Sequence, residues 1–202
     1  MLSFILSAIL GSNRCAACDA PSGANAAFCA GCANAVERST DERAPFVYGG
    51  PIAAAITRYK YGPTPELARP LGELLAHEAS RLSIDVDAVV PVPLHFSRLY
   101  ERGFNQAALL AAPVARRLGV PHLARALERT RSTEKQADLD RNARLRNVAS
   151  AFAPRARIPA RILLVDDVRT TGATQDACAK ALRAAGCTEV RCLVLAIAPS
   201  IG

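Results

Sequence analysis

The run Ile162-Leu163-Leu164-Val165-Asp166-Asp167-Val168-Arg169-Thr170-Thr171-Gly172-Ala173-Thr174 constrains this chain more than any other stretch. Four apolar β-formers lead into two adjacent carboxylates, then into a turn rich in hydroxyls and glycine. Beyond the turn, Ala173, Ala177, Cys178, Ala181, Leu182 and Ala185 recur on one helical face, with Gly186 placed as C-cap. A strand that passes through so short a turn into a helix gathers free backbone N–H groups at the helix N-terminus. The positive end of the helix dipole lies there too, so the turn is a place to hold an anion. Thr170, Thr171 and Thr174 add hydroxyl donors, and Gly172 lets the backbone approach a ligand closely.

Asp166 and Asp167 would repel a bare anion. They make sense beside a phosphate cradle if they accept hydrogen bonds from sugar hydroxyls, or help hold magnesium, while the loop grips a phosphate of the same sugar. A ribose 5-phosphate meets both demands. A buried strand followed by a capped helix would explain the apolar run and the turn, but not the paired acids before Thr-Thr-Gly-x-Thr. The run resembles the signature of type I phosphoribosyltransferases, which bind phosphoribosyl pyrophosphate (PRPP). The resemblance implies that Asp166 and Asp167 contact the ribose 2′- and 3′-hydroxyls. It also implies that Thr170, Thr171, Gly172, Ala173 and Thr174 surround the 5′-phosphate.

The chain has 202 residues, enough for one substantial core and a small appendage. Its net charge is +7, carried mostly by arginine, which suits polyanionic ligands, nucleic acid included, and equally a solvated basic surface. Residues 1–11 are apolar, but span only about half of the roughly 20 residues a membrane helix needs, and lack a basic flank. The expectation is a cytoplasmic protein with no membrane insertion.

Four of the seven cysteines form Cys15-x2-Cys18-x10-Cys29-x2-Cys32, the spacing of a tetrahedral zinc site. The link between the two pairs has turn residues and almost no core, so a metal is expected to hold it folded. With four cysteine ligands no coordination position stays open, which makes the zinc structural. Two disulfides would be the alternative in an oxidising compartment. Cys178, Cys187 and Cys192 read as small buried hydrophobes.

Three regions are expected: an apolar segment at 1–11, a zinc-binding module at 12–40, and an α/β domain from 46 to 202 with a parallel sheet flanked by helices. Within the last, Ile52 to Tyr61 reads as a helix. A second helix could start with Thr64 as N-cap and Pro65 at its first position, or start later or kink because of Pro70. Val86 to Val90 is a strand that the prolines of Pro91-Val92-Pro93 should stop, and an alanine-rich helix is interrupted by Pro113. Residues 127–152 read as a polar excursion or flap. Strands at 161–165 and 190–197 follow. Ligands bind at the carboxyl ends of strands in such sheets, so loops 91–93 and 166–174 belong on one side.

Further segments extend the resemblance. Pro91-Val92-Pro93-Leu94 precedes Arg98, Arg102, Gly103, Phe104, Asn105 and Gln106. Gln136, Leu139, Arg144, Asn147, Ala151 and Phe152 keep a Gln-x2-Leu-x4-Arg-x2-Asn-x3-Ala-Phe spacing, and Lys60-Tyr61 is a lysine-aromatic step. With a four-cysteine module ahead of them, these resemble the ComF family, whose members include ComFC-type competence proteins and GntX proteins. The resemblance covers about Cys15 to Ala198 and implies a part in natural transformation. There the protein would handle single-stranded DNA with other DNA-uptake proteins.

A phosphoribosyl transfer must neutralise departing pyrophosphate, hold the ribose and exclude water. Magnesium would bridge pyrophosphate and ribose oxygens. Asp166, Asp167 and Arg102 are the expected catalytic residues. Arg102, and more weakly Arg98, is expected on pyrophosphate, with a surface arginine as the plainer reading of each. Asn105 and Gln106 either touch ligand or cap the helix they begin. Gln136, Arg144 and Asn147 belong either to a closing flap or to a solvated face. Lys60 reads as a partly exposed helix lysine, and His77, His95 and His122 as scattered structural residues. Two non-catalytic functions compete with the transferase: a PRPP or nucleotide sensor, and a single-stranded DNA accessory with Phe28, Phe46, Tyr59 and Tyr61 along its path.

Overall fold

The computed structural model describes residues 13–23, 26–62, 64–130, 151–155 and 157–199. Its centre is a parallel sheet of β1 (Phe46–Val47), β2 (Ala88–Pro91), β5 (Arg161–Arg169) and β6 (Glu189–Ile197), in the order β1-β6-β5-β2. A parallel bridge between Val89 and His122 extends it past β2. Helices α2 (Gly50–Tyr61), α3 (Ala68–Arg81) and α5 (Gln106–Leu118) pack on one face, and α6 (Ala173–Ala184) on the other. The short helices α1 (Ala30–Asn34) and α4 (Phe96–Arg102) flank this body. An antiparallel pair, β3 (Leu127–Arg129) and β4 (Phe152–Pro154), joins the α6 side.

The alternation of β5 side chains sorts the core into two halves. Leu163 and Val165 pack with Ile56, Leu71, Leu75 and Leu110 on the α2–α3–α5 side. Ile162 and Leu164 pack with Ala177, Cys178 and Leu182 on the α6 side. A strand buried on both faces reads as an unbroken apolar run, which is why Ile162 to Val165 looked as it did.

The local expectations need four corrections. Thr64 does not cap a helix: its hydroxyl donates to Arg58 O at 2.8 Å, and Pro65–Leu67 is a 3₁₀ turn. The α-helix proper starts at Ala68 and takes Pro70 in its first turn, where an unpaired N–H costs nothing. Pro91 is the last residue of β2, not its stop. Helix α5 runs through Pro113 without interruption. Gly72 of α3 makes room there, since a Cβ on it would lie 2.8 Å from Pro113 Cγ. Finally, β5 continues to Arg169, so Asp166 and Asp167 are strand residues and not loop residues.

After β2 the chain crosses by α5 on one face to the His122 bridge. After β5 it crosses by α6 on the other face to β6. The neighbouring carboxyl ends of β2 and β5 therefore form the point where the connections diverge. In open parallel sheets that crevice is where ligands bind. Among the described residues no helix is long and apolar enough to cross a membrane.

Candidate functional site

Adjacent residues of a strand point to opposite faces, and so do the two acids. Asp167, 3% exposed, faces α2, where Lys60 Nζ lies 2.7 Å from its Oδ1. Its Oδ2 is buried with no hydrogen-bond partner among the described residues. Asp166, 8% exposed, faces α6: Gln175 Nε2 donates to its Oδ2 at 2.6 Å, and the Asp167 N–H donates to its Oδ1 at 2.9 Å. Lys60 is the partly exposed helix lysine expected, with 21% of its side chain exposed, and is also the partner of a buried carboxylate. Its lysine-aromatic step was the signal available in the sequence. Gln175, one turn into the helix, carried no signal.

Burial pushes the Asp166 carboxyl up from its ordinary range, and the neighbouring Asp167 charge adds to this. The Asp167 N–H, the Lys60 charge and the Gln175 amide act against it. A value raised on folding favours the folded state when the group is protonated. That contribution is complete below about pH 4, the unfolded value, and is lost as pH rises through the raised one. Stability to urea should fall with pH across that interval, and Asp166→Asn should lack this component. Equal pH slopes in the two proteins would contradict it.

Beyond β5 the turn exposes Thr170 and Thr171 and buries Gly172, which stands at the N-cap of α6 with φ +83°. Ala173 and Thr174 open the helix, half-buried. Gly172 brings no capping side chain, and Thr171 Oγ1 accepts from the Ala173 N–H at 3.4 Å. The left-handed φ favours glycine here, and a Cβ would also meet the guanidinium of Arg169, which folds over the turn, reaches Asp176 at 3.3 Å and would have to swing aside.

The loop after β2 lies beside this turn, because Pro91 pairs with Val165 and the Val92 N–H donates to Val165 O at 2.9 Å. Asn105 holds it, donating from Nδ2 to Val92 O at 3.1 Å while its Oδ1 accepts from the Ala107 N–H at 3.0 Å. Of the two roles open for Asn105, the structure shows the cap. Gln106 is buried; its Oε1 accepts from Arg102 Nη1 at 2.6 Å, and its carbonyl accepts from the Tyr59 hydroxyl at 2.9 Å. Arg102 also lies over the Tyr61 ring, 5.5 Å from its centroid. Burial pushes the Tyr59 hydroxyl well above its ordinary range; the Asp167 charge raises it further and Arg102 opposes, so both groups act at this corner. Arg98 is exposed on α4, and His95 is the N-cap of that helix, its Nδ1 2.9 Å from Ser97 Oγ.

Arg129 of β3 was not expected at all. It lies over the Phe152 ring at 5.6 Å, and burial, more than any neighbouring charge, holds its pKa below the ordinary arginine range. Gln136, Arg144 and Asn147 lie outside the described residues. The aromatic path is not formed as expected, because Phe46 and Tyr59 are core residues and only Tyr61 is well exposed.

The second site is the cysteine cluster. The sulfurs of Cys15, Cys18, Cys29 and Cys32 all lie within 4.8 Å of one another, and none of the seven cysteines is in a disulfide. Burial opposes ionisation of Cys15, but the backbone N–H groups of Cys18, Cys29 and Ala17 outweigh it and bring the thiol down to about 6. Hydrogen bonding to Cys18, then burial, pushes Cys32 up to about 12. Donors aimed at sulfur, in a set of four thiols, suit a structural metal ion. The cluster is docked on α2: Arg58 donates to Cys15 O at 2.9 Å and Ala16 O at 3.0 Å, and meets Asp19 at 2.7 Å.

Fold and site together define an α/β protein with a parallel sheet, a crevice at the sheet's divergence point, and a four-cysteine cluster able to hold a metal. Competence protein F of Haemophilus influenzae is 34% identical over 154 residues, 71% of this chain and 67% of that protein. DNA utilization protein YhgH of Escherichia coli K12 is 35% identical over 155 residues, 72% of this chain and 68% of that one. The chain belongs to the ComF family, and carries a four-cysteine cluster ahead of its parallel-sheet body. The glutamine PRPP amidotransferase of B. subtilis is similar at 22% identity and a TM-score of 0.46, over 67% of this chain and 30% of that structure. No protein-family model matches the chain.

Proposed function

We propose that this protein binds PRPP with magnesium at the shared carboxyl edge of β2 and β5, and that it serves DNA uptake or utilisation. One observation carries the binding proposal. Two buried carboxylates, one with an oxygen that has no partner among the described residues, stand directly ahead of a hydroxyl-bearing turn at a helix N-terminus. Asp167 Oδ2 is oriented by the Lys60 contact to its other oxygen, and would accept from a ribose hydroxyl. Asp166, held by Gln175, would take the neighbouring hydroxyl. Thr170, Thr171, Gly172, Ala173 and Thr174 would cradle the 5′-phosphate.

Arg102, braced by Gln106 and Tyr61, would face the pyrophosphate across the loop after β2, with exposed Arg98 as a second cation. Asp166 and Asp167 would help hold magnesium bound with PRPP, which would supply positive charge against the pyrophosphate. The names of the relatives, a competence protein and a DNA utilization protein, support the DNA role.

In the amino-terminal module the metal is zinc. Cys18 and Cys29 sulfurs are 3.8 Å apart, and a tetrahedron with zinc–sulfur bonds of about 2.3 Å has edges of about 3.8 Å.

Calorimetric titration of PRPP with magnesium tests the proposal. Wild type should bind saturably, and Asp166→Asn/Asp167→Asn should lose on the order of 100-fold, the loss of two charge-assisted hydrogen bonds. No saturable binding to wild type would remove it. Pyrophosphate release with a panel of nucleobases and DNA then separates a transferase from a sensor that binds in silence.

A further inference from the structure

Beside α6 and the amino-terminal half of β6 lies a groove of about 430 Å³, lined in part by Gln175 and Arg169, which also contact Asp166 and the Gly172 turn. Four arginines line it: Arg43 ahead of β1, Arg169 at the end of β5, Arg183 of α6 and Arg191 of β6. Two of them are already matched. Arg43 meets Asp41 at 2.5 Å, and Arg169 meets Asp176 at 3.3 Å. Arg183 and Arg191 have no ion pair or hydrogen-bonded side-chain partner among the described residues. Glu42 also lines the groove, and its charge acts on Arg81 outside it.

With Arg43 and Arg169 held by Asp41 and Asp176, and Glu42 also in the lining, Arg183 and Arg191 leave the groove with an excess of positive charge that favours an added anion. Guanidinium forks match phosphate oxygens in pairs, and the cavity is large enough for a diphosphate or a nucleotide. The floor does not oppose an anion, since Ile84, Ala179 and Val190 are apolar. Burial pushes the Cys192 thiol beside them up to about 12, so it stays neutral. Asp176, with its side chain 69% exposed, can turn to solvent and release Arg169.

We propose that this groove is a second phosphate site, which takes a polyphosphate anion, inorganic or the tail of a nucleotide. Its Arg183 side lies away from the turn proposed to cradle the sugar phosphate, although Arg169 belongs to both. Arg183 stands ten residues along α6 from Ala173, about 15 Å at 1.5 Å per residue. One phosphate cannot touch both. The inference does not depend on PRPP binding.

The test uses full-length metal-loaded protein and three probes: inorganic pyrophosphate, ATP and PRPP with magnesium. The variant Arg183→Ala/Arg191→Ala alters neither the acid pair nor the turn. It should weaken pyrophosphate or ATP by about tenfold or more, and leave PRPP within about twofold of wild type. Asp166→Asn/Asp167→Asn should do the reverse, keeping the groove's affinity. ATP binding tighter than pyrophosphate would identify a nucleotide, and equal binding an inorganic anion. Arg183→Gln/Arg191→Gln, which keeps more of each side chain, guards against loss of folding and should weaken the same probes. Unchanged pyrophosphate and ATP affinity in both arginine variants would overturn the proposal, as would no binding of either probe to wild type. So would an effect confined to a single-stranded oligonucleotide, which would make the groove a nucleic-acid track.

Discussion

Cys15→Ser/Cys18→Ser should reduce the metal content from one zinc per chain to none, and the amino-terminal module should unfold as the metal leaves. The module has almost no core of its own. Among the described residues its buried apolar side chains are Cys15, Ala16 and Ala27, and Ala16 belongs to the main core beneath it. Binding of a structural zinc supplies about 10–16 kcal/mol in small cysteine-rich peptides, far more than so few buried side chains. Loss of the metal also releases the sulfur-directed N–H donors around Cys15, and with them the carbonyls of Cys15 and Ala16 that receive Arg58. Metal analysis and hydrogen exchange check this. Amides of residues 13–19 and 26–35 should lose protection, whereas those of β5 and β6 should keep it. A metal-free protein that retained protection in both regions would sink the module as a metal site.

The second large effect is expected at Lys60. Lys60→Met removes the cation 2.7 Å from Asp167 and leaves a carboxylate with 5% of its side chain exposed and no opposite charge. Breaking a buried pair from one side costs about 3–5 kcal/mol. Lys60 itself is 21% exposed, so about 3 kcal/mol is the fitting end of that range. Urea denaturation measures it. Asp167→Asn in the same chain should return much of the loss, because the uncompensated charge is gone, and the double-mutant cycle then reads the coupling directly. A loss under about 1 kcal/mol for Lys60→Met would mean that the pair behaves as a surface ion pair and that Asp167 does not depend on it.

These two effects mark how far the sequence was readable. The cysteine spacing could be read directly, because two tight knuckles joined by a short link leave the thiols few places to go. The turn after β5 was equally legible: strand, acids, glycine and helix follow one another without a break, so local chemistry dictates local shape. The pairing of Lys60 with Asp167 could not be read in this way, since more than a hundred residues separate them and α2 must first pack on the sheet. Arg129 comes to lie over Phe152 only because β3 and β4, far apart in sequence, pair antiparallel. Pro113 was misread as an interruption because its accommodation depends on Gly72, in another helix.

Sequence alone thus determined the parts governed by neighbours along the chain: the parallel-sheet class, the strand–turn–helix around Gly172 and the four-thiol cluster. Tertiary structure alone decided that the paired acids face opposite sides of the sheet, each with its own partner, and that β2 and β5 lie side by side at the divergence point. It also decided that four arginines from distant segments meet in one groove. The physical reason is the same in each case. Hydrogen bonding and backbone sterics act over a few residues, whereas burial and charge pairing depend on which surfaces the completed core brings together.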